Sequence, residues 1–157
     1  MLFPTSTVAR GLTALALSAS SVLVVQAGEM GAHSGTFQKA EAPVNGSFMI
    51  KKEGGRQVLV LSSDFKTSTT APDLKVAFSP SAMPLAMSKP PEYALKPGSY
   101  TVLAPLQSSQ GAQRYVIPAS IDLSKQKSVL IWCRKFNATM AWAPMQHDSM
   151  GKGSMMK

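Results

Sequence analysis

Residues 128–142 read Ser-Val-Leu-Ile-Trp-Cys-Arg-Lys-Phe-Asn-Ala-Thr-Met-Ala-Trp, and they contain the only cysteine and both tryptophans of the chain. Strand alternation places Val129, Ile131 and Cys133 on one face and the residues between them on the other. Both faces are apolar, which predicts a central strand that is covered on both sides. Asn137 interrupts the run, and the residues after it are predicted to return as a second short strand.

The clearest turn elsewhere in the chain is Glu53-Gly54-Gly55-Arg56, whose glycines allow the positive φ of a two-residue hairpin loop. Five prolines in residues 80–98 predict an irregular excursion over the surface, with Met83, Leu85 and Met87 covering one edge of the core. No segment shows a sustained helical period. Short strands between turn residues therefore predict an all-β protein, an antiparallel β-sandwich of jelly-roll or barrel-like form. The other predicted strands are 46–53, 57–62, 73–79, 100–106 and 113–117, with the last two as a pair.

The N-terminus has the features of a secretory signal peptide. Residues 11–25 are small or apolar, Arg10 precedes them, and Val25-Gln26-Ala27 resembles a cleavage site. We therefore expect export to the periplasm or extracellular space, without stable membrane insertion once the signal is removed. The predicted organisation is a signal peptide (1–27), a short segment (28–34), a β-sandwich (35–144) and a Met-rich flexible tail (145–157).

Charge and cysteine content narrow the function classes. The formal net charge is +8, but the basic residues are scattered along the chain, so we predict a solvated surface and no nucleic-acid partner. The single cysteine cannot close an internal disulfide, so the stability of the fold must come from packing.

Several segments, in order, resemble the DM-thirteen domain family. They are 61–67 (Leu-Ser-Ser-Asp-Phe-Lys-Thr), 71–74 (Ala-Pro-Asp-Leu), 106–107 with 111–118 (Gly-Ala-Gln-Arg-Tyr-Val-Ile-Pro), and 128–139, with 34–37 (Ser-Gly-Thr-Phe) at the start. The resemblance implies a secreted or periplasmic β-sandwich whose cysteine is proposed to be redox-active in electron transfer with a partner protein. Ala71 stands where the family usually has Gly, and the Pro-rich excursion is a second departure.

Cys133 is accordingly the redox candidate. A reactive thiol needs a lowered pKa and access to solvent or a partner, since the thiolate is the nucleophile. On a continuing strand, Ile131 and Lys135 would share the face of Cys133, and Lys135 would stabilise a thiolate. The alternative is that Cys133 is a small core residue, because free cysteine is among the most buried types.

Soft ligands at the two ends of the mature chain form a second candidate, a copper site. Imidazole and thioether groups suit copper outside the cytoplasm. The alternative is a disordered tail that happens to be Met-rich. The candidate ligands are His33, His147, Met145 and Met150, with Met30, Met155 and Met156 nearby in sequence.

Asp64 and Asp73 flank one loop, and we expect them to order it or to bind a cation. Neither histidine lies in a recognisable hydrolase motif, and no Gly-rich phosphate loop is present. The sequence therefore favours a non-enzymatic redox module that works with a partner protein, with no organic cofactor implied. The alternatives are a ligand-binding or adhesion module in which Cys133 is structural, and a periplasmic copper-binding protein. The oligomeric state stays open.

Overall fold

A computed structural model describes residues 33–147 of the chain. These residues form ten short strands and one 3₁₀ turn, Leu123–Lys125. The strands are β1 (His33–Thr36), β2 (Gln38–Lys39), β3 (Ser47–Glu53), β4 (Arg56–Leu61), β5 (Leu74–Ser79), β6 (Thr101–Pro105), β7 (Gln113–Ile117), β8 (Ser128–Cys133), β9 (Ala138–Pro144) and β10 (Gln146–His147).

The strands form two five-stranded antiparallel sheets. Sheet one has the order β10-β1-β3-β4-β7, and sheet two has the order β2-β9-β8-β5-β6. The predicted all-β sandwich is confirmed, and the two sheets do not close into a barrel. Within the described residues, the strands of the sandwich run from His33 to His147, beyond the predicted limits of 35–144 on both sides.

The predicted signal peptide, residues 28–32 and the tail after His147 lie outside the described residues. Within the described range, no helix has the length and apolar character needed to cross a membrane.

The hairpin at Gly54-Gly55 has the predicted geometry. Glu53 pairs with Arg56, and the two glycines have φ values of +55° and +79°. Positive φ at both central residues is the requirement of a type I′ turn, whose twist matches that of the flanking strands. Phe48 and Leu61, a cross-strand pair on the inner face of this hairpin, are at most 2% exposed.

β8 is the central strand of sheet two, as its two apolar faces predict. Val129, Ile131 and Cys133 lie in the main core between the sheets. Leu130 and Trp132 lie in a second cluster, packed with Ala77 and Leu95 on the outer face of sheet two, and Leu85, Tyr100 and Trp142 flank it. Strand alternation thus divides one sequence run between two cores.

The predicted pairing of 100–106 with 113–117 is wrong. β6 pairs with β5 in sheet two, whereas β7 pairs with β4 in sheet one. The connecting loop crosses between the sheets instead of closing a hairpin. Gln113 fixes this crossing, because its side-chain amide donates to the backbone carbonyls of Ser108 (2.8 Å) and Gly111 (3.2 Å) and accepts from the Ser108 amide (3.1 Å).

The Pro-rich excursion covers the outer face of sheet two through Leu85, as predicted, and through Leu95, but not through the predicted Met83 and Met87. Leu95 is buried and Leu85 is partly buried in the outer cluster. Met83 and Met87 are 65% and 80% exposed. Prolines prevent a regular element here, so each side chain's position depends on its own local bend and not on a common period.

Candidate functional site

Cys133 is the last residue of β8, opposite Leu74 on β5 and Ala138 on β9. Its side chain is 0% exposed and belongs to the main core. The thiol is therefore surrounded by apolar side chains, an arrangement common for free cysteine. In the closed domain, neither water nor a partner protein reaches the sulfur.

The chain turns immediately after Cys133. The Arg134 amide donates to the Asp73 carbonyl (2.9 Å), and the Asn137 amide donates to the Arg134 carbonyl (3.3 Å). Asn137 has a φ of +46°, a left-handed conformation that asparagine tolerates better than most residues. The turn exposes Arg134, Lys135 and Phe136. Two cations and an aromatic ring thus reach solvent directly beside a buried thiol.

The predicted position of Lys135 on the strand face of Cys133 is wrong. That prediction assumed that β8 continues through Lys135, but the strand ends at Cys133. Lys135 is exposed, and its Nζ lies 5.8 Å from the centroid of the Phe136 ring. The arrangement supports a cation–π contact at the surface and gives no support to a thiolate-stabilising role for Lys135.

Asn137 has a role that sequence reasoning missed. Its Oδ1 accepts hydrogen bonds from Trp132 Nε1 (2.9 Å) and from the Leu95 amide (3.0 Å), and its Nδ2 donates to the Leu95 carbonyl (3.0 Å). A second tie follows at Thr139, whose hydroxyl donates to the Tyr93 carbonyl (2.7 Å). The residues after Cys133 therefore fasten the excursion to sheet two. The interruption of the apolar run at Asn137 was the only signal in the sequence.

The two loop aspartates lie in the connection between β4 and β5. The Asp64 carboxylate accepts from the Ser62 hydroxyl (2.5 Å), and Ser62 Oγ accepts in turn from the Ser47 amide (2.9 Å). Asp73 forms an ion pair with Lys75 (2.8 Å). These contacts are local, in keeping with an ordering role. Among residues 33–147, no cluster of three or more His, Cys, Asp or Glu side chains is placed to hold a metal ion.

This connection, residues 62–73, runs from the end of β4 to the start of β5 beside Cys133. We call this end of the sandwich the cysteine end. Thr67 in the connection is 4% exposed, and its Oγ1 makes no hydrogen bond in the described structure. A buried hydroxyl without a partner costs free energy, so this connection contains a weak point.

The predicted copper ligands are only partly brought together. His33 and His147 are directly opposite each other in the pairing of β1 with β10, and their ring centroids are 4.2 Å apart. Met145 packs against the main core. Met150, like Met30, Met155 and Met156, lies outside the described residues. Strand pairing thus brings the two histidines together, although they are far apart in the sequence.

The histidines and Cys133 lie at opposite ends of the sandwich. Ser128, at the start of β8, pairs with Pro144, and His147 follows three residues later. Five strand steps separate Ser128 from Cys133, which is roughly 16 Å at the usual strand rise. We call the end that carries His33 and His147 the histidine end. A single copper site containing both histidines and Cys133 is therefore not assembled.

The Gln113-Arg114-Tyr115 segment serves the fold. The Tyr115 hydroxyl donates to Gln113 Oε1 (2.6 Å) and accepts from the Gln107 amide (2.9 Å). Burial raises the pKa of the Tyr115 phenol, and the hydrogen bond from Gln107 opposes that shift. Arg114 points to the outer face and forms an ion pair with Glu53. Gln113 and Tyr115 thus stabilise the loop that crosses between the sheets.

The fold and its cysteine define an antiparallel β-sandwich domain with a free thiol buried in its core. The family model described as "Electron transfer DM13" matches residues 36–145, which is more than half of the chain. The protein therefore belongs to the DM13 family, and the resemblance seen in the sequence is confirmed. Its description associates the domain with electron transfer. No curated protein and no solved structure matches the chain significantly.

Proposed function

We propose that this protein is an exported, non-enzymatic module that exchanges electrons with a partner protein through Cys133. The observation that carries the proposal is the position of Cys133, at the end of the central strand and directly before an exposed turn, in a family described by electron transfer. The N-terminal signal sequence supports export, where thiol–disulfide chemistry is favoured.

The chemistry open to one cysteine is formation of a mixed disulfide. The Cys133 thiolate attacks one sulfur of a partner disulfide, the new S–S bond forms, and the other partner sulfur leaves as a thiolate. Cys133 is oxidised in this step and one sulfur of the partner is reduced. Because the chain has a single cysteine, a separate dithiol donor must complete the transfer. One donor thiolate attacks the Cys133 sulfur and releases the second partner sulfur as a thiolate. The other donor thiolate then displaces Cys133 as a thiolate and closes the donor disulfide, so two electrons pass from the donor to the partner.

The burial of Cys133 adds a requirement to this function. The sulfur is 0% exposed, so the cysteine end must open locally before a partner disulfide can approach. Two features favour opening there. Cys133 is the terminal residue of its strand, and the adjoining connection carries the unpaired Thr67 hydroxyl. The exposed Arg134, Lys135 and Phe136 supply a basic and aromatic surface for the partner at the same end.

The test is the reaction of the folded protein with oxidised glutathione at neutral pH, followed by intact mass. The proposal expects one glutathione adduct per folded chain, removed by reduced glutathione, and none on Cys133→Ser. An unfolded sample of the wild type provides the control for intrinsic reactivity. A folded protein that stays unmodified while the unfolded control reacts contradicts the proposal.

The burial of Cys133 also favours a second candidate, a binding or adhesion module in which this residue only packs the core. This candidate expects the thiol to react through global unfolding alone. It also expects Cys133→Ala to retain every binding property of the wild type, whereas the redox module loses its function with the sulfur.

A further inference from the structure

The histidine end carries a pair of neighbouring histidines that the proposed electron transfer does not use. His33 and His147 are direct partners in the register of β1 and β10. Side chains directly opposite each other in an antiparallel pair have Cβ atoms about 5 Å apart, whatever their rotamers. The ring centroid distance of 4.2 Å, with an interplanar angle of 59°, agrees with that constraint. The backbone thus holds the two imidazoles together.

The side on which the imidazoles lie follows from the same register. His33 is also opposite Ile50, which is 2% exposed in the main core, so His33 faces inward at the end of sheet one. His33 is half-buried and His147 is exposed. The pair therefore lies where the space between the sheets opens to solvent, and a small ion can reach it.

A cavity of about 990 Å³ adjoins the pair. Its lining includes the buried Ile117 and Leu123 at the core side and Asp122 at the rim. Hydrogen bonds from Ser124 hold the pKa of Asp122 below its usual range, so this carboxylate stays charged near neutral pH. Lys52 and Arg56 also line the cavity, and both are exposed. Their long side chains can extend into water and away from a bound cation.

We propose that His33 and His147 form a two-histidine binding site for a divalent transition-metal ion, with Cu²⁺ the preferred occupant. Imidazole is a good ligand for copper, nickel and zinc, and Cu²⁺ binds most tightly to a given set of nitrogen ligands. Rotation of the two rings at the open edge directs one nitrogen of each toward a shared ion. The remaining coordination positions are filled by water, which makes this an exchangeable site.

A metal ion bound by both histidines would also strengthen the attachment of β10 to the sandwich. β10 consists of only Gln146–His147, and it is attached to the sandwich through β1. A metal ion held by both histidines would link β10 to β1 by a second kind of bond. Binding to the folded state alone raises its stability, so the metal ion is expected to stabilise this edge of sheet one.

The test is titration of the full-length folded protein with Cu²⁺, followed by calorimetry and electron paramagnetic resonance. The chain contains only two histidines, so any imidazole nitrogen coupled to copper comes from this pair. The proposal expects one Cu²⁺ per chain with a two-imidazole spectrum. His147→Ala and His33→Ala should each weaken binding at least tenfold, whereas Gln146→Ala, on the same exposed strand, should leave it unchanged.

Unchanged affinity in His147→Ala, or a copper spectrum without imidazole coupling in the wild type, overturns the proposal. His147 is exposed, so its substitution is expected to leave the fold intact, and circular dichroism of each variant checks this. The site lies at the opposite end from Cys133. Titration of Cys133→Ala therefore keeps the result separate from the electron-transfer function, and its copper binding should match that of the wild type.

Discussion

The side-chain oxygen of Asn137 accepts a hydrogen bond from the indole Nε1 of Trp132 at 2.9 Å, across the turn that follows Cys133. The same oxygen also accepts from the Leu95 amide, so one asparagine joins the central strand, its turn and the Pro-rich excursion. This contact stabilises the outer core of sheet two, directly behind the strand that carries the thiol.

Asn137→Ala should therefore destabilise the protein by about 2–4 kcal/mol, since it leaves two buried donors without acceptors. It also places alanine at a φ of +46°. Urea unfolding measures the loss, and Asn137→Gly separates the two causes because glycine accepts this φ but lacks the amide. Equal stability of Asn137→Gly and the wild type would contradict a role for the side-chain hydrogen bonds.

Cys133→Ser should cost more stability than Cys133→Ala. Removal of the sulfur from a fully buried position leaves a small cavity, for which we expect a loss of about 1–2 kcal/mol. Serine adds a hydroxyl in an apolar site, at a further cost of roughly 1–3 kcal/mol. Chemical denaturation of the three proteins under reducing conditions checks the order. A serine variant as stable as the alanine variant would show that water reaches this position.

Gly35→Ala should weaken the attachment of β1. A Cβ at this position would overlap the Pro144 carbonyl oxygen and lie 2.6 Å from Cε1 of the buried Phe48. Neither neighbour can move freely, so we expect a loss of about 1–3 kcal/mol, typical of overpacking. Thr36→Ala, at an exposed position of the same strand, is the matched control for thermal unfolding. A similar melting temperature for both variants would refute the close approach.

Tyr115 should ionise later than an ordinary tyrosine, because burial raises the pKa of its phenol. The folded state then holds the proton more tightly than the unfolded state. The resulting stability is fully present below about pH 10 and is lost as the pH rises through the higher folded value. Absorbance of phenolate during alkaline titration should show a late step from Tyr115. Tyr115→Phe should remove that step, and its persistence in the variant would contradict the assignment.

The sequence predicted the parts of the fold that depend on local pattern. Alternation in 128–133 and the glycine pair 54–55 were sufficient for the central strand and the hairpin. The pairing of strands that are distant in sequence could not be predicted from local pattern. Nothing local indicates that β6 and β7 separate into different sheets, since adjacent strands usually pair. The misplaced Lys135 has a related cause, because the end of β8 depends on a turn whose closing contact, with Asp73, is distant in sequence.

The candidate sites show the same difference between what local sequence predicts and what long-range packing determines. The residue types that carry chemistry were visible in the sequence, and the resemblance to the family identified Cys133. The burial of that cysteine depends on the packing of both sheets, and the meeting of His33 with His147 depends on the register between the two chain ends. Neither can be derived from spacing alone.

Thr67→Val tests the weak point at the cysteine end. Valine replaces a buried hydroxyl that has no partner by a methyl group of similar shape, so we expect a gain in stability of about 1 kcal/mol. If the loop opens to expose Cys133, the same change should slow alkylation of the native thiol severalfold. Thr69→Val, at an exposed position of the same loop, is the control. Faster labelling of Thr67→Val would contradict the assignment.

The rate of Cys133 alkylation in native protein, measured against urea concentration well below the unfolding transition, distinguishes local opening of the cysteine end from global unfolding. Local opening exposes little surface, so we expect an alkylation rate that is nearly independent of urea and above the rate that global unfolding permits. A rate that rises with the full slope of global unfolding, and extrapolates to the global free energy in water, would show that Cys133 is a packing residue and would contradict the proposed electron exchange.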